Sequence, residues 1–174
     1  ILTIFAATLL DFPQMPLAPV QLLWLNLVTD SLPALALGVD MDDPKRHMKR
    51  PPRNKDESLF SHGGLFVTIF YGVLIGFLSI GAFLLLPAAM LMHQGTPLTL
   101  NSLTRVLEIP IILSHAQTYA FTTLGISQLF HAIGMRDVRR SVFAMNHFAN
   151  KLMIAALVIG IGLQVVVTHI PFLV

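Results

Sequence analysis

The chain is expected to fold as an all-α, multi-pass transmembrane helical bundle with about four full spans plus a partial first span. Three observations predict this. The composition is 55% hydrophobic and only 11% charged, where a soluble domain is about 25% charged. The mean hydropathy is +0.74. Uncharged stretches long enough to cross a bilayer alternate with short polar segments, because a helix needs about 20 apolar residues for a hydrocarbon core of roughly 30 Å.

Residues 1–10 are apolar, and ten helical residues reach about 15 Å, half a span. They read as the second half of a span whose first half is missing, and the chain reads as a piece of something larger. They carry no basic n-region and no small-residue cleavage site, so a signal peptide is not expected. Residues 11–18 hold two prolines and an acid and form a turn outside the membrane. Residues 19–39 form the first full span. Residues 40–62 are a polar loop whose Pro51-Pro52 pair favours extended backbone. Residues 63–92 are an uncharged span rich in glycine. Its Gly72-x-x-x-Gly76 spacing is more simply internal packing than a dimer face. Residues 93–109, with Arg105 and Glu108, form an outer loop or partial helix. Residues 110–134 form a span carrying Gln117, Thr118, Thr122, Thr123, Ser127, Gln128 and His131. Residues 135–147 are a second basic loop, and 148–170 are the last span.

Charge orients the bundle. Of 11 Lys and Arg, six lie in 45–55 and four in 136–151. The positive-inside rule puts both clusters in the cytosol, and the two spans between them agree. Clustering of this kind, beside long apolar stretches, speaks against nucleic acid and for a lipid bilayer as partner. Cysteine is absent, so there is no disulfide framework and no thiolate metal site. No HxxxH or HExxH spacing suggests zinc. No Walker motif, nucleophile elbow or dinucleotide fingerprint is present, so the chain is expected to hydrolyse or reduce nothing by itself.

The chemistry concentrates at Asn26, Thr29 and Asp30. Asp30 is the only acid between Asp11 and Asp40. A carboxylate at bilayer depth costs roughly 2.5–3.5 kcal/mol on insertion scales and is functional by default. No Lys or Arg lies inside a span to pair with it. The i, i+3, i+4 spacing puts an amide, a hydroxyl and a carboxylate on one helical face, and all offer oxygen, which hard cations prefer. Pro33 has no N–H and clashes with the carbonyl one turn back, at Thr29, so backbone carbonyls are freed at the same depth. Helix–helix hydrogen bonding explains Asn26 or Thr29 alone, but not Asp30. Gln128 is a weaker ligand candidate, because an intramembrane amide is more often a packing hydrogen-bonder. His131 reads as interfacial rather than as a proton carrier, and His115 likewise.

The run PVQLLWLNLVTDSLPALALGVD followed by MKRPPRN resembles the sixth transmembrane helix and following cytosolic loop of P-type ATPases. It is most similar to calcium-transporting pumps of the sarco/endoplasmic-reticulum type and their bacterial relatives. FTTLGISQLFHAIGMRDVRRSVF resembles the eighth helix and the loop after it. The resemblance covers essentially the whole of 1–174, from within the fifth helix to the ninth. It implies the membrane part of an ATP-driven calcium pump, a translocase. Asn26, Thr29 and Asp30 would be Ca2+ ligands on a locally unwound helix, with Gln128 a weak one. The remaining acidic ligands would come from the fourth and fifth helices. The loop 40–62 would touch the phosphorylation domain. The domains that use ATP and Mg2+ (phosphorylation, nucleotide and actuator) are not in the chain. One departure matters: reticulum-type pumps have a glutamate where this chain has Gln128, which implies one calcium per ATP rather than two. A bacterial cell membrane is the expected location, with endoplasmic reticulum or secretory-pathway membranes as alternatives. Two other readings stay open, a pump for manganese or for sodium and potassium, and a stand-alone channel or accessory subunit that lacks the motor.

Overall fold

The computed structural model describes residues 2–9, 12, 14–39, 63–136 and 150–169. The loop 40–62 and most of the second basic loop therefore lie outside the described residues. Among the described residues every regular element is helical. In chain order these are α1 (Leu2–Leu9), α2 (Pro19–Trp24), a π turn (Leu25–Thr29), α3 (Ser31–Gly38), α4 (Gly64–His93), α5 (Leu100–Leu107), α6 (Pro110–Gly134) and α7 (Lys151–His169). Three continuous helical stretches are long and apolar enough to cross a membrane: Pro19–Gly38, Gly64–His93 and Lys151–His169. The 25-residue α6 is long enough at about 1.5 Å per residue, but its hydroxyls and amides make it less apolar.

That helix is the central one. Its buried stripe runs Ile112, Ala116, Ala120, Phe121, Leu124, Gly125 and Leu129. Small residues in this stripe let neighbouring backbones come close, which is how helices associate where lipid is as apolar as leucine. On one side α4 packs against it, and the buried Ser79 hydroxyl donates to the Ala120 carbonyl at 3.3 Å. Each hydroxyl inside a bilayer needs such a partner. On the other side α7 packs through a reciprocal fit. A Cβ on Gly160 would lie 2.8 Å from a Leu129 methyl, and one on Gly125 would lie 2.9 Å from the Gln164 amide oxygen. Each helix thus offers a glycine to the other's large side chain, in antiparallel register. The main core joins Leu17, Leu25, Phe83, Leu107, Phe121 and Val167. A second cluster, Ala36, Met153 and Ala156 with Leu32, Leu37 and Ile133, closes the opposite end.

The glycine pair of α4 resolves as internal packing. Cβ atoms on Gly72 and Gly76 would meet Leu2 at 3.2 Å and 3.6 Å, so α1 lies along this stripe of the same chain. The 93–109 segment contains α5, a two-turn helix whose N-terminus is closed by Thr99 and Ser102. The Ser102 N–H donates to Thr99 Oγ1 at 3.3 Å, and the Thr99 N–H donates to Ser102 Oγ at 3.0 Å, a reciprocal cap. Leu107, fully buried, anchors it. The 14–18 turn is held by the Gln117 amide, which donates to the Met15 carbonyl at 2.8 Å. Large apolar side chains such as Phe66, Phe77, Leu35, Ile111 and Val158 point outward, as a lipid-facing surface requires.

The two ends of the second cluster are tied by Asn150. Its Oδ1 accepts from the Met153 N–H at 2.9 Å, capping α7. Its Nδ2 donates to the Ala36 carbonyl of α3 at 2.8 Å. Carbonyls in the last turn of a helix have no intrahelical donor, so this side chain serves two helix ends at once. Asn150→Ala should therefore destabilise the bundle by about 1–2 kcal/mol, read as a lower midpoint of thermal unfolding in detergent. Asn150→Asp should recover most of the cap but not the bond to Ala36.

Candidate cation site

The span Pro19–Gly38 starts as an ordinary helix. Pro19 sits at its first position, where a missing N–H costs nothing, and the Gln21 side chain accepts from the Ala18 N–H at 3.0 Å. The regular ladder then fails. The Asp30 N–H donates to the Leu25 carbonyl at 3.0 Å, a five-residue step in place of the usual four. Such π turns interrupt α-helices mostly at functional places. The resemblance implied a locally unwound helix around the polar cluster; the structure instead keeps the helix continuous there and widens it into a π turn.

The interruption falls on the polar residues themselves. In an α-helix the Asp30 N–H would pair with the Asn26 carbonyl; here it goes to Leu25. The donor that an α-helix would give the Thr29 carbonyl is the N–H of residue 33, and Pro33 has none. The carbonyls of Asn26 and Thr29 both lose their α-helical partners, and these two residues also carry polar side chains. The ladder resumes with the Ala34 N–H on the Asp30 carbonyl at 3.1 Å. Sequence reasoning placed the loss near Pro33 alone; the π turn adds a second carbonyl one turn earlier.

The π turn also changes the facing of the side chains. A perfect α-helix would keep all three on one face. A π turn rotates less per residue, and the structure buries Thr29 at 3% exposure while leaving Asn26 and Asp30 exposed on the surface of the chain. Thr29 points into the bundle, and the amide and carboxylate point out of it. Gln128 lies on α6, half-buried, with its Oε1 buried and without a hydrogen-bond partner. The His131 ring lies tilted by 40° against Tyr71, with ring centroids 4.5 Å apart. His115 sits on the surface of the bundle with its Nδ1 2.7 Å from the Ile111 carbonyl.

Two residues of this region escaped sequence reasoning. Gln164 on α7 is 1% exposed, and neither atom of its amide has a partner. Its signal was present, since it is the only amide between Lys151 and His169. Asn150 gave a weaker one, an Asn just before an apolar run, the composition of a helix cap.

These features define a multi-pass α-helical membrane protein with a carboxylate on an interrupted span. Comparison with known proteins narrows the class. A family profile described as "Cation transporting ATPase, C-terminus" matches residues 14–174, and the chain belongs to that family. It is 42% identical over 171 residues to a protein of Bacillus cereus named calcium-transporting ATPase 1, covering 98% of this chain and 18% of the relative. It is 39% identical over 172 residues to the calcium-transporting ATPase of Bacillus subtilis, covering 98% of this chain and 17% of the relative. An endoplasmic reticulum-type relative from Arabidopsis thaliana, calcium-transporting ATPase 4, is 28% identical over 210 residues, covering 98% of this chain and 19% of the relative. The chain thus spans less than a fifth of the length of these curated relatives.

Pro33→Ala supplies the missing N–H. It should close the ladder onto the Thr29 carbonyl and slow backbone amide exchange over residues 30–36. Removing a proline from a helix interior is worth up to about 3 kcal/mol. Unchanged exchange would mean that the π turn holds the helix open without the proline.

Proposed function

We propose that this chain is the C-terminal transmembrane domain of an ATP-driven calcium pump, from the end of the fifth helix to the ninth. In this role it supplies cation ligands and part of the coupling to phosphorylation. The observation that carries the reading is the interrupted span: Asp30 and two backbone carbonyls without α-helical donors lie within five residues, in a family whose relatives are named for calcium transport. The ligating groups are Asn26 Oδ1 and the Asp30 carboxylate from the outer face of the turn and the Thr29 hydroxyl from its inner face, and the Asn26 and Thr29 carbonyls add neutral oxygen. Calcium takes six to eight oxygens. The rest come from helices outside this chain, which also cover Asn26 and Asp30. An uncovered carboxylate facing lipid is costly, so their outward facing supports a docking partner at this depth. Alternating access follows if closing and opening of the π turn changes which side reaches Asp30. The loop 40–62 meets the phosphorylation domain, where ATP and Mg2+ act. A bacterial cell membrane suits the closer similarity to the two Bacillus proteins.

Asp30→Asn in the intact pump should abolish calcium-dependent phosphorylation from ATP, because the neutral amide loses the charge that holds a divalent ion. Normal calcium affinity in that variant would remove the ligand assignment. Gln128 brings no charge to the site, so the intact pump should bind one calcium per phosphorylation site, counted by equilibrium binding of labelled calcium. A reproducible value of two would overturn the one-ion reading.

A further inference from the structure

Two buried polar side chains on adjacent helices are unpartnered, and they are complementary. Gln128 Oε1 on α6 is an acceptor without a donor. Gln164 on α7 has a donor, Nε2, without an acceptor, and its Oε1 is unpartnered too. Leaving a buried polar group unpaired costs about 1–3 kcal/mol, more where no water competes.

Their placement brings them to one seam. Gly125 faces the Gln164 amide, whose Oε1 lies 2.9 Å from the position of a glycine Cβ. Gln128 is three residues along the same helix, less than one turn deeper. It shares a helical stripe with Phe121, seven residues earlier. Phe121 lines a small cavity together with Trp24 of α2 and Val167 of α7, so this stripe looks into the gap between the interrupted span and α7. One core cluster holds Leu25, Phe121 and Val167; the other holds Leu32, Ile133 and Met153. Thr29, Gln128 and Gln164 lie between these two levels, one from each of the three elements. Each of the three elements thus brings one polar side chain to this level, beside apolar contacts such as Leu129 on Gly160.

We propose that Gln164 is a positioning residue for Gln128. A rotamer change lets Gln164 Nε2 donate to Gln128 Oε1, which satisfies that donor and that acceptor. The amide oxygen of Gln128 is then held toward the seam where Thr29 and the interrupted carbonyls lie, with a second lone pair left for a cation. Gly125 leaves room for the Gln164 amide, and a methyl group there would push that amide aside. This inference rests on the calcium reading above and extends the site onto a third helix.

The test is a double-mutant cycle in the intact pump with Gln128→Met and Gln164→Met, which keep side-chain length and remove hydrogen bonding. The readout is the calcium concentration for half-maximal phosphorylation. Each single variant should raise it about threefold to tenfold, and the double variant should be no worse than the poorer single one. A merely structural role for Gln164 would give multiplying effects, and multiplication, or an unchanged Gln164→Met, overturns the proposal. Gly125→Ala is a second route that removes no polar group: it should displace the Gln164 amide and weaken calcium affinity in the parent but not in Gln128→Met. An effect of equal size in both backgrounds counts against the proposal. Asp30→Asn serves as the control: normal affinity there removes the calcium reading itself, whereas loss there with multiplying Gln128 and Gln164 effects removes this inference alone.

Discussion

Inside a bilayer no water is at hand to complete a broken hydrogen-bond ladder, and this constraint organises the molecule. Every polar group in a span must find a partner in protein or in a ligand. Most do so locally. Ser79 donates to Ala120, Thr68 to the Gly64 carbonyl and Thr118 to the Ser114 carbonyl. Against that background the turn at Leu25–Thr29 stands apart. Two successive departures from the α-helical ladder, one from the five-residue step and one from a proline, deprive the same short stretch of donors. A single proline would take the α-helical donor from one carbonyl; the pair takes it from two.

The remaining architecture keeps that turn in place. The central helix α6 carries glycine and alanine where its neighbours press closest, and it positions both Gln128 and the wall against which Thr29 is buried. The exchange of Gly125 for Gln164 and Gly160 for Leu129 fixes the register of α6 and α7. A slip by one turn would put Leu129 against Gln164 in one direction and Gly125 against Gly160 in the other, an overpacked contact or a void, and overpacking costs about 1–3 kcal/mol. Asn150 fixes the other end by serving both the start of α7 and the end of α3. The interrupted helix is therefore held on either side of its weak point.

Much of this was legible in the sequence because it rests on composition and on proline. Uncharged stretches gave the span boundaries to within a few residues, and Asp30, isolated in apolar surroundings, marked the site. The GxxxG pair was correctly read as internal packing. What was not legible depends on tertiary facing. The burial of Thr29 away from Asn26 and Asp30 follows from the π turn, and no residue pattern distinguishes a π turn from an α-helix containing the same amino acids. Gln164 was visible as a lone amide, but its meaning depends on its meeting Gly125 across a helix interface. Asn150 resembled an ordinary cap, and its second bond, to Ala36, joins residues 114 apart in the chain.

The interrupted span also bears on how the protein enters the membrane. Pro19–Gly38 has a mean hydropathy of 1.3, against 2.4 for Gly64–His93 and 2.2 for Lys151–His169. A mid-span carboxylate adds roughly 2.5–3.5 kcal/mol to the insertion free energy. Of these three spans the segment with the polar cluster is thus the least able to partition into lipid alone. In the folded bundle its neighbours are α6 and α7 rather than the α4 that follows it, so the helices that keep this span in the membrane come later in the chain.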